Sequence, residues 1–129
     1  MPNPNPNFMI LYVESAAASA AFYQKLLGRA PAQASPTFVL FALESGLMLG
    51  LWTRRGVAPA ATAAGGGGEI AFTVPDAAAV EAVCAAWRDR GARILQEPVR
   101  LDFGDAFVAL DPDGHRLRVF APVEAGAPA

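Results

Sequence analysis

The chain has 129 residues, of which 53% are hydrophobic and 17% are charged, and its formal net charge is −2. This composition supports a buried core and argues against an intrinsically disordered chain, while the near-neutral charge argues against nucleic acid as a partner. No apolar run is long enough to span a bilayer, and the N-terminal MPNPNPN lacks the charged and apolar regions of a signal peptide. We therefore expect a cytoplasmic protein without a membrane partner.

The first half of the chain predicts a strand, a helix and a hairpin. Residues 1–7 alternate Pro and Asn, which predicts an extended, disordered tail, and the apolar residues 8–13 predict a covered strand. A helix is expected over 16–27, ended by Gly28. Residues 29–36 contain two prolines and are expected to form a loop. Two apolar strands should follow around the turn Glu44-Ser45-Gly46, namely 37–43 and 47–53.

The second half begins after a change in composition. Residues 55–68 have no hydrophobic period and end in four glycines, which predicts a flexible linker. A strand over 69–74 and a helix over 77–90 should follow, and Val80, Val83, Cys84 and Trp87 form the buried stripe of that helix. The remaining segments are a short strand at 93–96, a hairpin of 103/105–110 and 115–121 around Asp-Pro-Asp-Gly, and a frayed tail at 123–129.

The chain uses one unit twice. Val13 corresponds to Val74, the three alanines after Ser15 correspond to the three after Asp76, and Gly28 corresponds to Gly91. Ser and Asp are both good helix N-caps, and glycine is the usual residue after a helix end. The repeat predicts two similar modules, 8–54 and 69–122, joined by the linker.

The repeat, the segment FYQKLLG and the turn DPDGH with its following apolar strand together resemble the vicinal oxygen chelate superfamily. This superfamily includes glyoxalase I, extradiol dioxygenases, fosfomycin-resistance enzymes, and bleomycin-resistance and related drug-binding proteins. The resemblance implies an α+β fold of two βαβββ modules, whose sheets curl around a cavity. It also implies a homodimer.

The enzymes of this family hold a divalent metal on His or Glu side chains at matching strand positions. The matching positions here are Phe8 and Gly50 in the first module, and Glu69 and Arg118 in the second. Only Glu69 offers a metal ligand, since guanidinium is a permanent cation, and a catalytic metal needs about three protein ligands. We therefore expect no metal, no cofactor and no catalytic residue.

Alternation of side chains along the strands predicts which residues line the cavity. The expected ligand-binding residues are Phe8, Tyr12, Phe41, Met48, Gly50, Trp52, Glu69, Phe107 and Arg118. Gly50 should leave room beside Trp52. The register of the first hairpin stays open, because either Phe41 and Val39 or Phe38 and Leu40 face inward.

Such an aromatic-lined slot suits a planar aromatic ligand, and the resemblance to the drug-binding branch implies a phenazine- or bleomycin-like compound. Arg118 could bind a carboxylate or phenolate of that ligand, or could simply pair with Glu69. The alternative function is a metal-dependent enzyme of the glyoxalase or dioxygenase type with displaced ligands. A third reading is a module that serves assembly only, with Trp52 as part of its core.

Overall fold

The computed structural model describes residues 4–123. These residues form two compact units that divide after Ala63, inside the predicted linker. The parts of the predicted tails at 1–3 and 124–129 lie outside the described residues.

The first unit is a four-stranded mixed sheet with one helix. Its elements are β1 (Phe8–Val13), α1 (Ala16–Leu27), β2 (Gln33–Ala34), β3 (Phe38–Ala42) and β4 (Met48–Thr53). The strand order is β1-β4-β3-β2, with β1 and β4 parallel and the other neighbours antiparallel.

The second unit repeats this arrangement. Its elements are β5 (Glu69–Thr73), α2 (Ala77–Asp89), β6 (Arg93–Leu101), β7 (Gly104–Leu110) and β8 (Arg116–Pro122). The strand order is β5-β8-β7-β6, and only β5 and β8 are parallel. The predicted α+β class with two βαβββ modules is therefore confirmed.

The two helices begin with equivalent caps, as the repeat predicted. The hydroxyl of Ser15 accepts a hydrogen bond from the Ala18 amide at 3.1 Å, and the carboxylate of Asp76 accepts one from the Ala79 amide at 2.8 Å. Gly28 ends α1 with φ +67°, a left-handed conformation that costs glycine little. Local sequence thus determines where each helix starts and stops.

Each helix covers one face of its own sheet. In the first unit α1 contacts β3 and β4, and Tyr23, Phe41 and Leu51 are fully buried. In the second unit Trp87 of α2 packs edge-to-face on Phe72 and Phe107, with ring centroids 5.2 and 5.5 Å apart. Cys84 lies in the same buried stripe, and burial raises the pKa of its thiol. Trp87 and Cys84 are thus core residues, as their helical spacing predicted.

Two segments differ from the sequence expectation. The predicted loop at 29–36 contains the short strand β2, which pairs with β3 through Gln33 and Ala34. The predicted short strand at 93–96 extends to Leu101, because two register shifts let β6 continue beside β7 past Pro98. Proline is tolerated there because β6 is the edge strand of its sheet.

Within residues 4–123, the predicted linker is not wholly irregular. A 3₁₀ turn over Arg54–Gly56 spans the start of the predicted linker, and Val57 after it is buried. Neither α1 nor α2 is long and apolar enough to cross a membrane.

Gly104 gives a sharp test of the β7–β8 pairing. Its φ is +145°, and a Cβ there would overlap the carbonyl oxygen of Ala121 on the neighbouring strand. We expect Gly104→Ala to lower the free energy of unfolding by about 2–4 kcal/mol, because strained backbone and overpacking add. Chemical denaturation measures this. Gly67→Ala is the matched control, since nothing lies within 4 Å of a Cβ at that position; equal stability of both variants would contradict the close approach.

Candidate functional site

Each sheet also has a face turned away from its helix. In the first unit we call this the first open face, and the strand register gives it three rows of side chains: Phe8, Ile10 and Tyr12 on β1, Met48, Gly50 and Trp52 on β4, and Phe38, Leu40 and Ala42 on β3. The β1 row is solvent-exposed, with Phe8 48% and Tyr12 37% accessible. Exposed aromatic rings on one sheet face are a candidate binding surface.

Trp52 is the centre of an aromatic cluster on the first open face. Tyr12 and Phe38 both contact it edge-to-face, with ring centroids 6.3 and 6.4 Å away and interplanar angles of 82° and 84°. These contacts hold the indole orientation, and Trp52 itself is only half-buried. The structure therefore brings together the predicted residues Phe8, Tyr12, Met48 and Trp52 on one face.

The register of the first hairpin decides whether Phe41 or Phe38 lies on the first open face. Phe38 lies opposite Trp52, whereas Phe41 lies opposite Leu49 on the helix-covered face and is fully buried. The prediction that Phe41 lines the site is wrong, and Phe38 takes that place. The reason is that the turn sets Leu43 opposite Leu47, and alternation from that pair turns Phe41 towards α1.

Gly50 does not leave free space beside Trp52. A Cβ at Gly50 would lie 2.7 Å from Cζ of Phe38 and 3.5 Å from Cγ1 of Ile10. The ring of Phe38 therefore occupies the room that the missing side chain creates. Gly50 shapes the first open face by admitting Phe38, and the expected slot at this position is filled by the protein's own side chain.

The corresponding surface of the second unit, the second open face, is more polar. Its register rows are Glu69, Ala71 and Thr73 on β5, Arg116, Arg118 and Phe120 on β8, and Ala106, Val108 and Leu110 on β7. Phe107 is not among them, because it lies opposite Val119 and packs on Trp87. The prediction for Phe107 is wrong because Leu110 pairs with Arg116, and alternation from that pair turns Phe107 towards α2.

Glu69 and Arg118 form a two-pronged ion pair on the second open face. Nε of Arg118 lies 2.5 Å from Oε1 of Glu69, and Nη2 lies 3.2 Å from Oε2. The side chain of Arg118 is 17% exposed and that of Glu69 is 34% exposed. Both carboxylate oxygens therefore already accept hydrogen bonds from one guanidinium.

Arg118 also has contacts that the sequence did not indicate. Its guanidinium carbon lies 5.7 Å from the ring centroid of Phe103, and Phe103 contacts Phe120 edge-to-face at 5.6 Å. The third guanidinium nitrogen, Nη1, is buried and has no hydrogen-bond partner within residues 4–123. Sequence reasoning missed Phe103, for which the available signal was an aromatic residue directly before Gly104.

The family's metal-ligand positions are equivalent in the two units. Phe8 lies opposite Met48 just as Glu69 lies opposite Arg116, and Gly50 and Arg118 lie two residues farther along their strands. These residues do not fit a metal ion, because Phe and Gly offer no side-chain donor and the Glu69 carboxylate is engaged by Arg118. Across residues 4–123, no three His, Cys, Asp or Glu side chains come together as a metal-binding group.

The segment around the single histidine has a structural role. Asp111 is buried, and its Oδ1 accepts hydrogen bonds from the amides of Asp113 and His115 at 2.9 and 2.8 Å. These bonds close the turn before β8. Asp111 is therefore a turn former, as the sequence predicted.

Comparisons with known proteins agree with this architecture. The profile of the Glyoxalase/Bleomycin resistance protein/Dioxygenase superfamily matches residues 6–119, and the chain belongs to that family. A phenazine antibiotic resistance protein, EhpR of Enterobacter agglomerans, is 27% identical over 121 residues, covering 92% of both chains.

Two solved structures resemble the chain over nearly its whole length. The solution NMR structure of protein ATC0852 from Agrobacterium tumefaciens is 48% identical with a TM-score of 0.87, and the match covers 95% of this chain and 100% of that one. A glyoxalase/bleomycin resistance protein/dioxygenase from Nocardioides has a TM-score of 0.82 at 23% identity, covering 100% and 90% of the two chains. The second likeness supports the fold alone.

The ion pair gives a stability prediction. Glu69→Ala should lower the free energy of unfolding by about 1–3 kcal/mol, because it leaves the largely buried guanidinium without its carboxylate. We place this below the range for fully buried pairs because water reaches part of the Glu69 side chain. Thermal and chemical denaturation measure the loss.

Two variants control this prediction. Glu69→Ala combined with Arg118→Met should be more stable than Glu69→Ala alone, since no unpaired charge remains. Glu44→Ala removes the carboxylate of a pair with Arg29 whose Glu44 side chain is 90% exposed, and should cost less than about 0.5 kcal/mol. A Glu69→Ala loss no larger than that of Glu44→Ala would show that the pair adds nothing to stability.

Proposed function

We propose that the protein binds a planar aromatic small molecule without transforming it, as a resistance-type protein for phenazine- or bleomycin-like compounds. The observation that carries the proposal is the aromatic cluster of the first open face, where Trp52 is held edge-to-face by Tyr12 and Phe38. We further propose that the protein works as a homodimer.

The chemistry of the first open face supports an apolar, flat ligand. The face presents Phe8, Ile10 and Tyr12 to solvent and carries no charged side chain in its three rows. Aromatic contacts contribute about 0.5–1.5 kcal/mol per ring pair beyond the area that they bury. Because the rings already pack on one another, a flat ligand would meet a partly preorganised surface.

Three further findings support binding rather than catalysis. The relative EhpR is by name a phenazine antibiotic resistance protein, and phenazines are planar aromatic compounds. The positions equivalent to the metal ligands of the family enzymes are Phe8, Gly50, Glu69 and Arg118, which do not form a metal-binding set. Apart from the phenol of Tyr12, the three rows of the first open face contain no side chain that acts as a nucleophile, a general acid or a general base.

The role of Trp52 is open to a direct test. Trp52→Ala should weaken the binding of phenazine by about 1–3 kcal/mol, roughly 5- to 150-fold, while leaving the fold intact. Equilibrium dialysis measures the affinity, and circular dichroism checks the fold.

Trp52→Phe keeps a ring and should retain part of the affinity. Phe22→Ala removes an aromatic side chain of α1 that contacts Tyr23, and it serves as the control outside the open face. Equal binding by wild type and Trp52→Ala, or unfolding of Trp52→Ala, would reject the proposed role of Trp52.

The alternative, a metal-dependent enzyme of the glyoxalase or dioxygenase type, makes the opposite prediction about metal. Elemental analysis of protein purified without chelator should find less than about 0.1 equivalent of Ni, Zn, Fe or Mn per chain, because a site needs about three ligands. Glu69→Gln should leave that value unchanged. One equivalent in the wild type that Glu69→Gln abolishes would favour the enzyme.

A further inference from the structure

The glycine run before β5 lies against the turn that joins β7 to β8 in the same unit. A Cβ built on Gly65 would lie 2.8 Å from both Cε1 and Nδ1 of His115 and 3.1 Å from the carbonyl oxygen of Asp113. The next residue, Gly66, follows the same turn, since a Cβ there would lie 3.9 Å from the carbonyl oxygen of Gly114. Only a residue without a side chain lets the backbone approach another group this closely, so Gly65 is fitted to the turn.

The turn is a firm surface for this contact. The buried Asp111 accepts hydrogen bonds at Oδ1 from the amides of Asp113 and His115 at 2.9 and 2.8 Å, and its own amide donates to the carbonyl oxygen of His115 at 3.0 Å. The amide of Gly114 donates to the carbonyl oxygen of Asp111 at 3.1 Å. A side chain at Gly65 could push the imidazole aside by rotation, but it would still meet the Asp113 carbonyl, which these bonds hold in place.

The start of the predicted linker is held on the first unit. Nη1 of Arg54 donates to the carbonyl oxygen of Ala63 at 2.9 Å, which brings the chain back to where the segment begins. Between these two residues, Val57 is buried and its amide donates to the carbonyl oxygen of Arg54 at 3.2 Å. We call residues 54–63 the closed loop. Because Gly65 already contacts the turn of the second unit, only Ala64 lies between the two held segments.

The last two glycines of the run differ from Gly65. A Cβ at Gly67 or Gly68 would have nothing within 4 Å, and neither residue has a positive φ. Packing therefore requires glycine at position 65 but not at positions 67 and 68. A run of glycines that served flexibility alone would show no such difference between its members. The difference indicates a segment docked through a specific contact.

We propose that the segment between the modules is a clamp in two parts. The closed loop holds the chain on the first unit, and the glycine strap, defined as Gly65 and Gly66, is latched on the second unit by the ring of His115 and the turn that carries it. The hinge between the modules is then confined to Ala64, and opening the strap lengthens that hinge to residues 64–68. The clamp replaces the expectation of a free linker over 55–68, and it does not depend on the proposed ligand.

Backbone ¹⁵N relaxation of the full chain tests the glycine strap. Rigid backbone has order parameters near 0.85, and flexible backbone has values below about 0.6. We expect values of about 0.8 or more at Gly65 and Gly66 in the wild type. In Gly65→Ala the values over residues 65–68 should fall below about 0.6, because the added methyl group does not fit between the strap and the turn.

Two further variants identify the contact. Gly67→Ala is the matched control, since it makes the same change where nothing lies within 4 Å of a Cβ, and it should leave the strap values unchanged. His115→Ala removes the ring and keeps every glycine, so it should loosen the strap without adding bulk. Values below about 0.6 at Gly65 and Gly66 in the wild type, or equal strap values in the wild type, Gly65→Ala and His115→Ala, would overturn the latch.

The closed loop is tested by a second pair of variants. Arg54→Met removes the donor to Ala63 and should lower the order parameters over residues 58–63 below about 0.6, while the glycine strap keeps its wild-type values. Arg55→Met removes the neighbouring arginine, which pairs with Glu14, and should change neither segment. Loosening of residues 58–63 in both variants alike, or in neither, would contradict the part of the clamp on the first unit.

Discussion

The strict alternation of side chains in the two sheets is the constraint on which the other features depend. Each sheet has one helix, so one face is covered by α1 or α2 and the other is turned away from the helix. Because the period is two, the register of each strand pair decides on which face of its sheet each residue lies. Phe41 and Phe38 illustrate this, since three positions along β3 separate a fully buried core ring from a ring beside Trp52.

The same scaffold carries different chemistry on its two open faces. The equivalent strand positions hold Phe8 and Gly50 in the first unit, and Glu69 and Arg118 in the second. The first pair gives an apolar surface over which the Phe38 ring can lie, whereas the second forms a neutral ion pair with one unsatisfied donor. The duplicated module thus carries an apolar row of side chains in one unit and an ion pair at the equivalent positions of the other.

Much of the fold was predictable because its signals are local. The caps Ser15 and Asp76, the helix-ending Gly28 and the apolar strand runs lie within a few residues of the structure that they determine. The candidate site was less predictable. Phe8, Tyr12 and Trp52 were placed on the correct face because β1 and β4 have clear ends, but Phe107 was not, because its face depends on which residue of β8 pairs with Leu110.

The sequence by itself determined the repeated unit of strand, capped helix and helix-ending glycine, because these follow from residue type and short-range pattern. The full βαβββ modules and the metal-ligand positions came from the family resemblance, and β2 was missed. Only the tertiary structure decided that Phe38 fills the space above Gly50, that Glu69 engages Arg118 with both oxygens, and that Phe103 lies beside the guanidinium. These contacts join residues that are distant along the chain or separated by a turn. Their existence depends on strand register and side-chain packing, which no local pattern encodes.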